Sequence, residues 1–473
     1  MEVVKDNFEE ALQLFQENLF QSEIVALDLE FTGIHGKPEQ YNDNMPERYS
    51  KVRRVAMNYE IIQVGLCLFI RKGDIWETRP FNFYVFPEDS GANPRVTLEV
   101  SAISFLKEHN MDFNKWIYQG IPYMTMLQES DLHTKLISVQ EEPTEQLVLS
   151  KPNDIARMKE IEENINQFIS GCDPYIDING LNAYLRRYLY TELRKSYPNI
   201  FPESVKTEGS REVTMRLHKV DPEAAQRMKE EKESRKKFEF NGRIGFRRVF
   251  TLLEQAKKPL IVHSGLYDLA FFIDGFYGDL PEKYSEFKSL IHILFPIVYD
   301  TRYILERHPG LWEEFDQSSS LKGLSQFYSF LCKNEFRKIS LAEGFEKYRD
   351  ERYAHEAGFD ALMCGTCFLW LIEKIGNLEG YRNLLPAFKS FFAINLEGDD
   401  LIFPENYYYF KGADIKKTFG ALEGFSWRYI KDDECFVQSV SEEKLTEFRR
   451  RAEGNNWTLI SIHNYFNSKV AEI

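Results

Sequence analysis

The chain carries no excess of positive charge: 59 Lys and Arg stand against 74 Asp and Glu in 473 residues, a net charge of -15. That sign excludes a generally basic nucleic-acid binder, so any RNA partner has to meet a local basic groove or metal ions. No stretch approaches about 18 consecutive apolar residues, which excludes a transmembrane helix within this sequence. The start, Met1-Glu-Val-Val-Lys-Asp-Asn-Phe8, lacks the basic and apolar regions of a secretory signal. Cysteine is scarce, six residues mostly far apart, as in a reduced intracellular protein. Cys364 and Cys367 form one Cys-x-x-Cys, with no second pair or His cluster to complete a zinc site. They read as two small apolar residues on a buried helix face.

What is present is ample core material, 43% apolar and 15% aromatic, in a chain too long for one hydrophobic core. Phe8, Leu12, Phe15 and Leu19 recur at helical spacing. Strand character follows at Ile24 to Asp28, Ile61 to Ile70 and Phe81 to Phe86, the last two separated by the turn-like Arg71-Lys-Gly-Asp74. This order predicts one edge of a mixed α/β sheet. From residue 143 to 240 the pattern changes to helices at Ile161 to Phe168 and Leu181 to Tyr190, a strand at Glu212 to His218 and a charge-dense arm at Pro222 to Lys237. It reads as a small inserted α+β domain.

Strand character returns at Pro259 to His263 and Phe295 to Asp300, each followed by helical sequence. Residues 395–473 carry strand-like pieces at Asn406 to Phe410, Phe425 to Ile430, Cys435 to Ser439 and Trp457 to Ile462, with helical stretches at Ala413 to Phe419 and Glu442 to Arg451. That β-α-β-β-α-β order is the arrangement of an RNA-recognition motif. The predicted division is therefore 1–142 and 241–394 for one interrupted domain, 143–240 for the insertion and 395–473 for the last.

The chemistry resides in scattered acids. Asp28 and Glu30 lie two apart in a strand, so both point one way while Val25, Leu27, Leu29 and Phe31 line the other face. Two like charges so close need a partner, and a divalent metal supplies one; taken alone, a turn cap and an exposed acid explain them too. Asp268 follows His263 at a strand-to-helix crossing, where ligands gather in such sheets. By itself it would serve a helix first turn. His355 and Asp360 are five residues apart, about 140° around one helix at about 3.6 residues per turn, so they cannot face one site from a continuous helix. Gly358 is expected to break the helix and leave His355 on the entering loop. There it could take a proton from water.

Together the five positions, with Leu29-Glu-Phe-Thr-Gly-Ile34, Phe81-Asn-Phe-Tyr-Val-Phe-Pro87, Ser101-Ala-Ile-Ser-Phe-Leu106, Gly120-Ile-Pro-Tyr123, Ser285-Glu-Phe-Lys288 and His355-Glu-Ala-Gly-Phe-Asp-Ala361, resemble the poly(A)-specific ribonuclease family of DEDDh 3′→5′ exonucleases and its relatives that trim piRNA precursors. The resemblance implies an α/β, ribonuclease-H-like mixed-sheet nuclease domain, interrupted by a domain of the Arg-x-x-x-His nucleic-acid-binding type and followed by an RRM-like α+β domain. It implies catalysis by Asp28, Glu30, Asp268, His355 and Asp360, with the four acids as ligands of two Mg²⁺ ions about 3.5–4 Å apart, or of Mn²⁺ as a substitute. It also implies substrate contacts from Phe31, Ile34, Ile103, Lys288 and Trp427.

Core or turn packing explains Phe31, Ile34 and Ile103 equally well, and a buried strand aromatic explains Trp427. The inserted domain departs from its type, since Arg186 is followed four residues later by Tyr190 instead of His. The implied partners are single-stranded RNA 3′ ends, a second copy of the chain in a homodimer, and a small-RNA effector protein delivering substrate. Cytoplasmic or nuclear placement is expected, or organelle-membrane tethering for a chain cut before a C-terminal helix. Two other readings stay open: a catalytically inactive RNA-binding scaffold, whose mark would be a lost acid, and a DNA exonuclease.

Overall fold

A computed structural model describes the chain apart from residues 89–94, 139–147, 207–212, 309, 312–322, 335, 337, 350, 403–405, 413–414, 416–423, 440 and 471–473. Four strands set up the main sheet: β1 (Glu2–Val3), β2 (Ile24–Phe31), β3 (Ile61–Lys72) and β4 (Ile75–Pro87). They stand in the order β1-β4-β3-β2 and continue through Leu260–Val262 to Val298–Asp300. The β2-β3 and β3-β4 pairs are antiparallel, while β2 pairs parallel with Leu260–Val262, and that strand with Val298–Asp300. The sheet is mixed, with β1, Ile121–Tyr123 and Ile339–Leu341 also parallel to β4, and parallel neighbours need long crossovers, which places helices on its faces.

Strand alternation sorts the core. Val25, Leu27 and Leu29 face the first layer with Phe15 of helix Phe8–Leu19 and with Phe250 and Phe272, all buried. Ile24 and Ala26 face the second layer, where helix Ala357–Ile375 packs with its first fifteen residues buried, Cys364 and Cys367 included. A helix apolar on all sides belongs inside. Burial of one such phenylalanine contributes about 1.5–3 kcal/mol.

The chain forms two compact units, Met1–Gln128 with Ile244–Ile473, and Glu129–Arg243. The second unit is wider than 143–240 because it begins at Glu129, within helix Met126–Ser138, and follows helix Pro222–Ile244 to Arg243. Within it helices Pro152–Ser170 and Ala183–Ser196 pack Ile161, Phe168, Leu185 and Leu189 against a three-stranded sheet of Tyr175–Ile178, Val213–Lys219 and Ile200–Lys206. Tyr190 donates to or accepts from Ser204 Oγ at 2.9 Å, and the Lys232 ammonium lies 5.6 Å from its ring centroid.

Residues 395–473 do not separate as a unit of their own. Four strands, Tyr407–Lys411, Phe425–Lys431, Glu434–Ser439 and Thr458–Ser461, make an antiparallel sheet in which the first lies between the third and fourth. The expected helix at Ala413 to Phe419 falls largely outside the described residues, whereas Glu442–Gly454 is helical. Phe391, Phe392 and Tyr41 pack onto one face of this sheet and bind it into the first unit. Among the described residues no helix is long and apolar enough to cross a membrane.

Candidate active site

Asp28 and Glu30 sit on the second-layer face of β2, opposite Gly65 and Gln63 of β3. They continue the row begun by Ile24 and Ala26, so the apolar row turns acidic where the sheet meets the start of helix Ala357–Ile375. That helix could not come so close to a side chain at residue 65, because a Cβ on Gly65 would lie 1.8 Å from the Ala357 carbonyl oxygen. Asp360, in the first turn of the helix, is thereby lowered onto the strand. Carboxylate oxygens of Asp28, Glu30 and Asp360 all lie within 4.8 Å of one another. Asp268, in the first turn of helix Leu266–Phe276, accepts the N–H of Leu29 at 3.2 Å, midway between the two strand acids.

Four carboxyls gathered in this way cannot all ionise cheaply. Burial, then repulsion from Asp360 and Asp268, pushes Asp28 and Glu30 well above the ordinary carboxylate range. Burial raises Asp268 and Asp360 to about 7, although the N–H groups of Leu29 and His355 respectively work the other way. The donor set is all oxygen and of one sign, the chemistry that a hard divalent cation matches.

His355 lies just outside the helix and holds φ at 71°. The break is therefore in His355 itself. Gly358, expected to supply it, is helical and serves close approach instead: a Cβ there would stand 2.7 Å from Asn82 Cβ. The first free N–H groups of the helix are met from the sheet, Ala357 by Gln63 Oε1 at 3.2 Å and Gly358 by Asn82 Oδ1 at 2.9 Å. Glu356 accepts from Lys347 at 2.6 Å and Tyr348 at 2.7 Å, which fixes the residue beside His355. The His355 ring meets the His109 ring edge-on at 4.1 Å and that of Phe105 at 4.9 Å. Burial, and next His109, lowers its pKa, so it stands neutral and able to accept a proton.

Asp300 escaped sequence reasoning as part of this architecture. Fully buried at a strand end, it accepts N–H groups of Ser264 (3.2 Å), Gly265 (2.9 Å), Arg302 (2.9 Å) and Tyr303 (3.1 Å). It thereby ties the turn before Asp268 to the neighbouring strand. Burial raises it to about 6 against the pull of those N–H groups. Its only signal in the sequence was an acid closing the apolar run Phe295 to Tyr299. His263 donates to or accepts from Thr301 Oγ1 at 2.9 Å, and burial, then Arg302, lowers it to about 3, so it is uncharged.

The remaining residues singled out by sequence are placed more variously. Phe31, half-buried, stacks on Phe271 at 4.0 Å. Ile34 is 39% exposed on the loop after β2, and Ile103 is half-buried on helix Val100–Glu108. Lys288 donates to Asp400 Oδ1 at 2.9 Å and to the Gly398 carbonyl at 2.7 Å. Its charge is thus already paired within the fold. Trp427 is partly buried against Phe410, Cys435, Val437 and Phe448. On the opposite sheet face, Tyr409 stacks on Tyr465 at 4.3 Å and Phe436 on Phe466 at 5.9 Å, both from helix Ile462–Val470.

The family model of CAF1 ribonucleases matches residues 3–368, which carry all five site residues. The chain belongs to the CAF1 ribonuclease family. This CAF1-family member is 26% identical over an alignment of 501 positions, gaps included, to the poly(A)-specific ribonuclease PARN of Xenopus laevis, covering 94% of the chain and 78% of that protein. It is 28% identical over 386 residues to the pre-piRNA 3′-exonuclease trimmer of Bombyx mori, covering 78% and 71%. The structure of S. pombe Pop2p with Mg²⁺ and Mn²⁺ bound aligns at a TM-score of 0.42 and 15% identity, covering 81% of the chain and 97% of that protein. The protein is a 3′→5′ exoribonuclease.

Proposed function

We propose that this CAF1-family enzyme shortens the 3′ ends of single-stranded RNA, poly(A) tails and small-RNA precursors of the piRNA type, releasing 5′-nucleotides. The carrying observation is the approach of Asp28, Glu30 and Asp360 carboxylates to within 4.8 Å, beside Asp268. These four acids would hold two Mg²⁺ ions, or Mn²⁺ in their place, which supply activation of the attacking water and neutralise charge at the leaving oxygen. His355, kept neutral by burial, would take the proton of that water on a ring nitrogen. Asp268 holds the Leu29 backbone, and Asp360 the backbone of His355, so each acid also sets the position of another member of the site.

Phe31, Ile34 and Ile103 would line the 3′-terminal nucleotides. Lys288 would join them on leaving Asp400, and Trp427 on leaving its sheet neighbours. The last four strands support an RRM-like domain, and the helices and sheet of Glu129–Arg243 a domain of the Arg-x-x-x-His type. A homodimer and a small-RNA effector protein complete the proposal; sedimentation of the purified chain tests the first. The deciding experiment incubates 5′-labelled oligo(A) RNA, and DNA of the same sequence, with the protein in Mg²⁺ or in EDTA. A ladder of shortened RNA in Mg²⁺ alone supports the reading. RNA bound yet uncut would mark an inactive scaffold, and DNA cut equally well a general exonuclease, because the 2′-OH distinguishes the two.

A further inference from the structure

Glu99 precedes helix Val100–Glu108 at its N-cap position, yet its side chain makes no bond to the free N–H groups of that helix. It turns to the loop that leaves β2. One oxygen, Oε2, accepts the N–H of Ile34 at 3.1 Å and of His35 at 2.9 Å. The other, Oε1, is shared by the Ser101 hydroxyl and the His35 ring. The backbone closes the same junction, since the Glu99 N–H donates to the Thr32 carbonyl at 2.9 Å.

The approach is tight. A Cβ on Gly33 would lie 2.8 Å from Glu99 Cβ and 2.4 Å from the Tyr59 ring, so the loop is pressed between them. Thr32 is fixed in turn by Glu60, whose carbonyl accepts the Thr32 N–H at 2.9 Å and whose N–H donates to Thr32 Oγ1 at 2.9 Å. Burial opposes ionisation, but the Ser101 hydroxyl and the two loop N–H groups hold the Glu99 carboxyl below its usual range. The helix that Glu99 begins carries Ile103, and it brings Phe105 and then His109 against the His355 ring. One carboxylate therefore joins the loop of Phe31 and Ile34 to the helix that braces His355.

We infer that Glu99 is a positioning residue, a clasp that fixes the loop of Ile34 relative to helix Val100–Glu108 and so shapes the seat of the RNA 3′ end. The inference rests on the proposed 3′-end function, but the clasp itself can be measured without RNA. A charge-assisted acceptor serving two N–H groups that otherwise face water is expected to be worth about tenfold in loop opening and in substrate binding.

The test compares Glu99→Ala, Glu99→Gln and the unaltered protein by hydrogen exchange of the peptide containing Ile34 and His35, and by steady-state cleavage of oligo(A) with Mg²⁺. Glu99→Ala should speed exchange about tenfold and raise KM about tenfold, with kcat changed less than about threefold. Glu99→Gln keeps a carbonyl oxygen for the two N–H groups and should restore most of both. Unchanged exchange, or a fall in kcat with KM unaltered, would overturn the clasp. If Glu99→Ala does not fold, the same readouts on Ser101→Ala, which removes a donor to the Glu99 carboxylate, decide, with KM and exchange rising together in support and both staying level against. Unaltered protein that cuts no RNA would remove the proposed function, while the exchange experiment would still settle the clasp.

Discussion

The backbone N–H of His355 donates to Asp360 Oδ1 at 3.1 Å, while His355 holds a left-handed φ of 71°. Asp360 thus has two duties, as an acid of the cluster and as the acceptor that keeps the histidine bent out of the helix. Asp360→Asn preserves an acceptor oxygen and removes the charge, so it should fold normally and lose cleavage by more than about a thousandfold. Asp360→Ala removes both, and should in addition lose about 1–3 kcal/mol in urea unfolding. Equal stabilities of the two variants would deny the second duty.

A left-handed non-glycine residue costs about 1–2 kcal/mol. His355→Gly should therefore be about 1 kcal/mol more stable than His355→Ala, while both slow single-turnover cleavage by about 10²–10⁴. If both fold and both cleave normally, His355 is not the proton acceptor.

Gly65→Ala puts a methyl 1.8 Å from the Ala357 carbonyl. The start of the helix must lift, and Asp360 with it, so activity should fall along with about 2–3 kcal/mol of stability. Gly73, at φ 65° in the β3-β4 turn with nothing within 4 Å, provides the control. Gly73→Ala should cost about 1 kcal/mol of strain and leave cleavage alone.

How much of this was legible in the sequence differs from residue to residue. The strand pair Asp28 and Glu30 follows from period-two alternation, and β2, β3 and β4 from long apolar runs. Tyr175–Ile178 and Ile200–Lys206 did not show, because neither is a sustained apolar run and each is held by its pairing with Val213–Lys219. The angular offset of His355 and Asp360 required a break, but glycine was credited with it. The positive φ belongs to His355, stabilised by contacts more than 200 residues distant in sequence at Gln63, Asn82 and His109. Lys288, expected among the substrate contacts, is paired with Asp400, which nothing local in the sequence announces.

Phe466 is buried against Phe436 and Phe392, on the face that would stack bases in the proposed RRM-like domain. Phe466→Ala should cost about 3–5 kcal/mol in unfolding, with little loss of cleavage well below the melting temperature. Photo-crosslinking of oligo(A) to the unaltered protein should leave Tyr409 and Phe436 unmarked, and a crosslink there would show that helix Ile462–Val470 lifts to admit RNA.

Because burial raises Asp268 and Asp360 to about 7, and pushes Asp28 and Glu30 well above the ordinary carboxylate range, the metal-free folded state binds more protons near neutrality than the unfolded chain. These acids make the metal-free protein less stable as pH rises from about 4 through 7, the reverse of an ordinary salt-bridged carboxylate. A cation competes with those protons, so Mg²⁺ should raise the melting temperature more at pH 8 than at pH 6. An equal rise at both would contradict proton displacement at the cluster.

Binding of Mn²⁺ at pH 8, followed by electron paramagnetic resonance on the unaltered protein and on Asp28→Asn, bears most directly on the acid cluster as a metal centre. Two bound ions in the first, and at least one lost in the second together with RNA cleavage, is the predicted result. Full Mn²⁺ occupancy and cleavage retained by Asp28→Asn would contradict it.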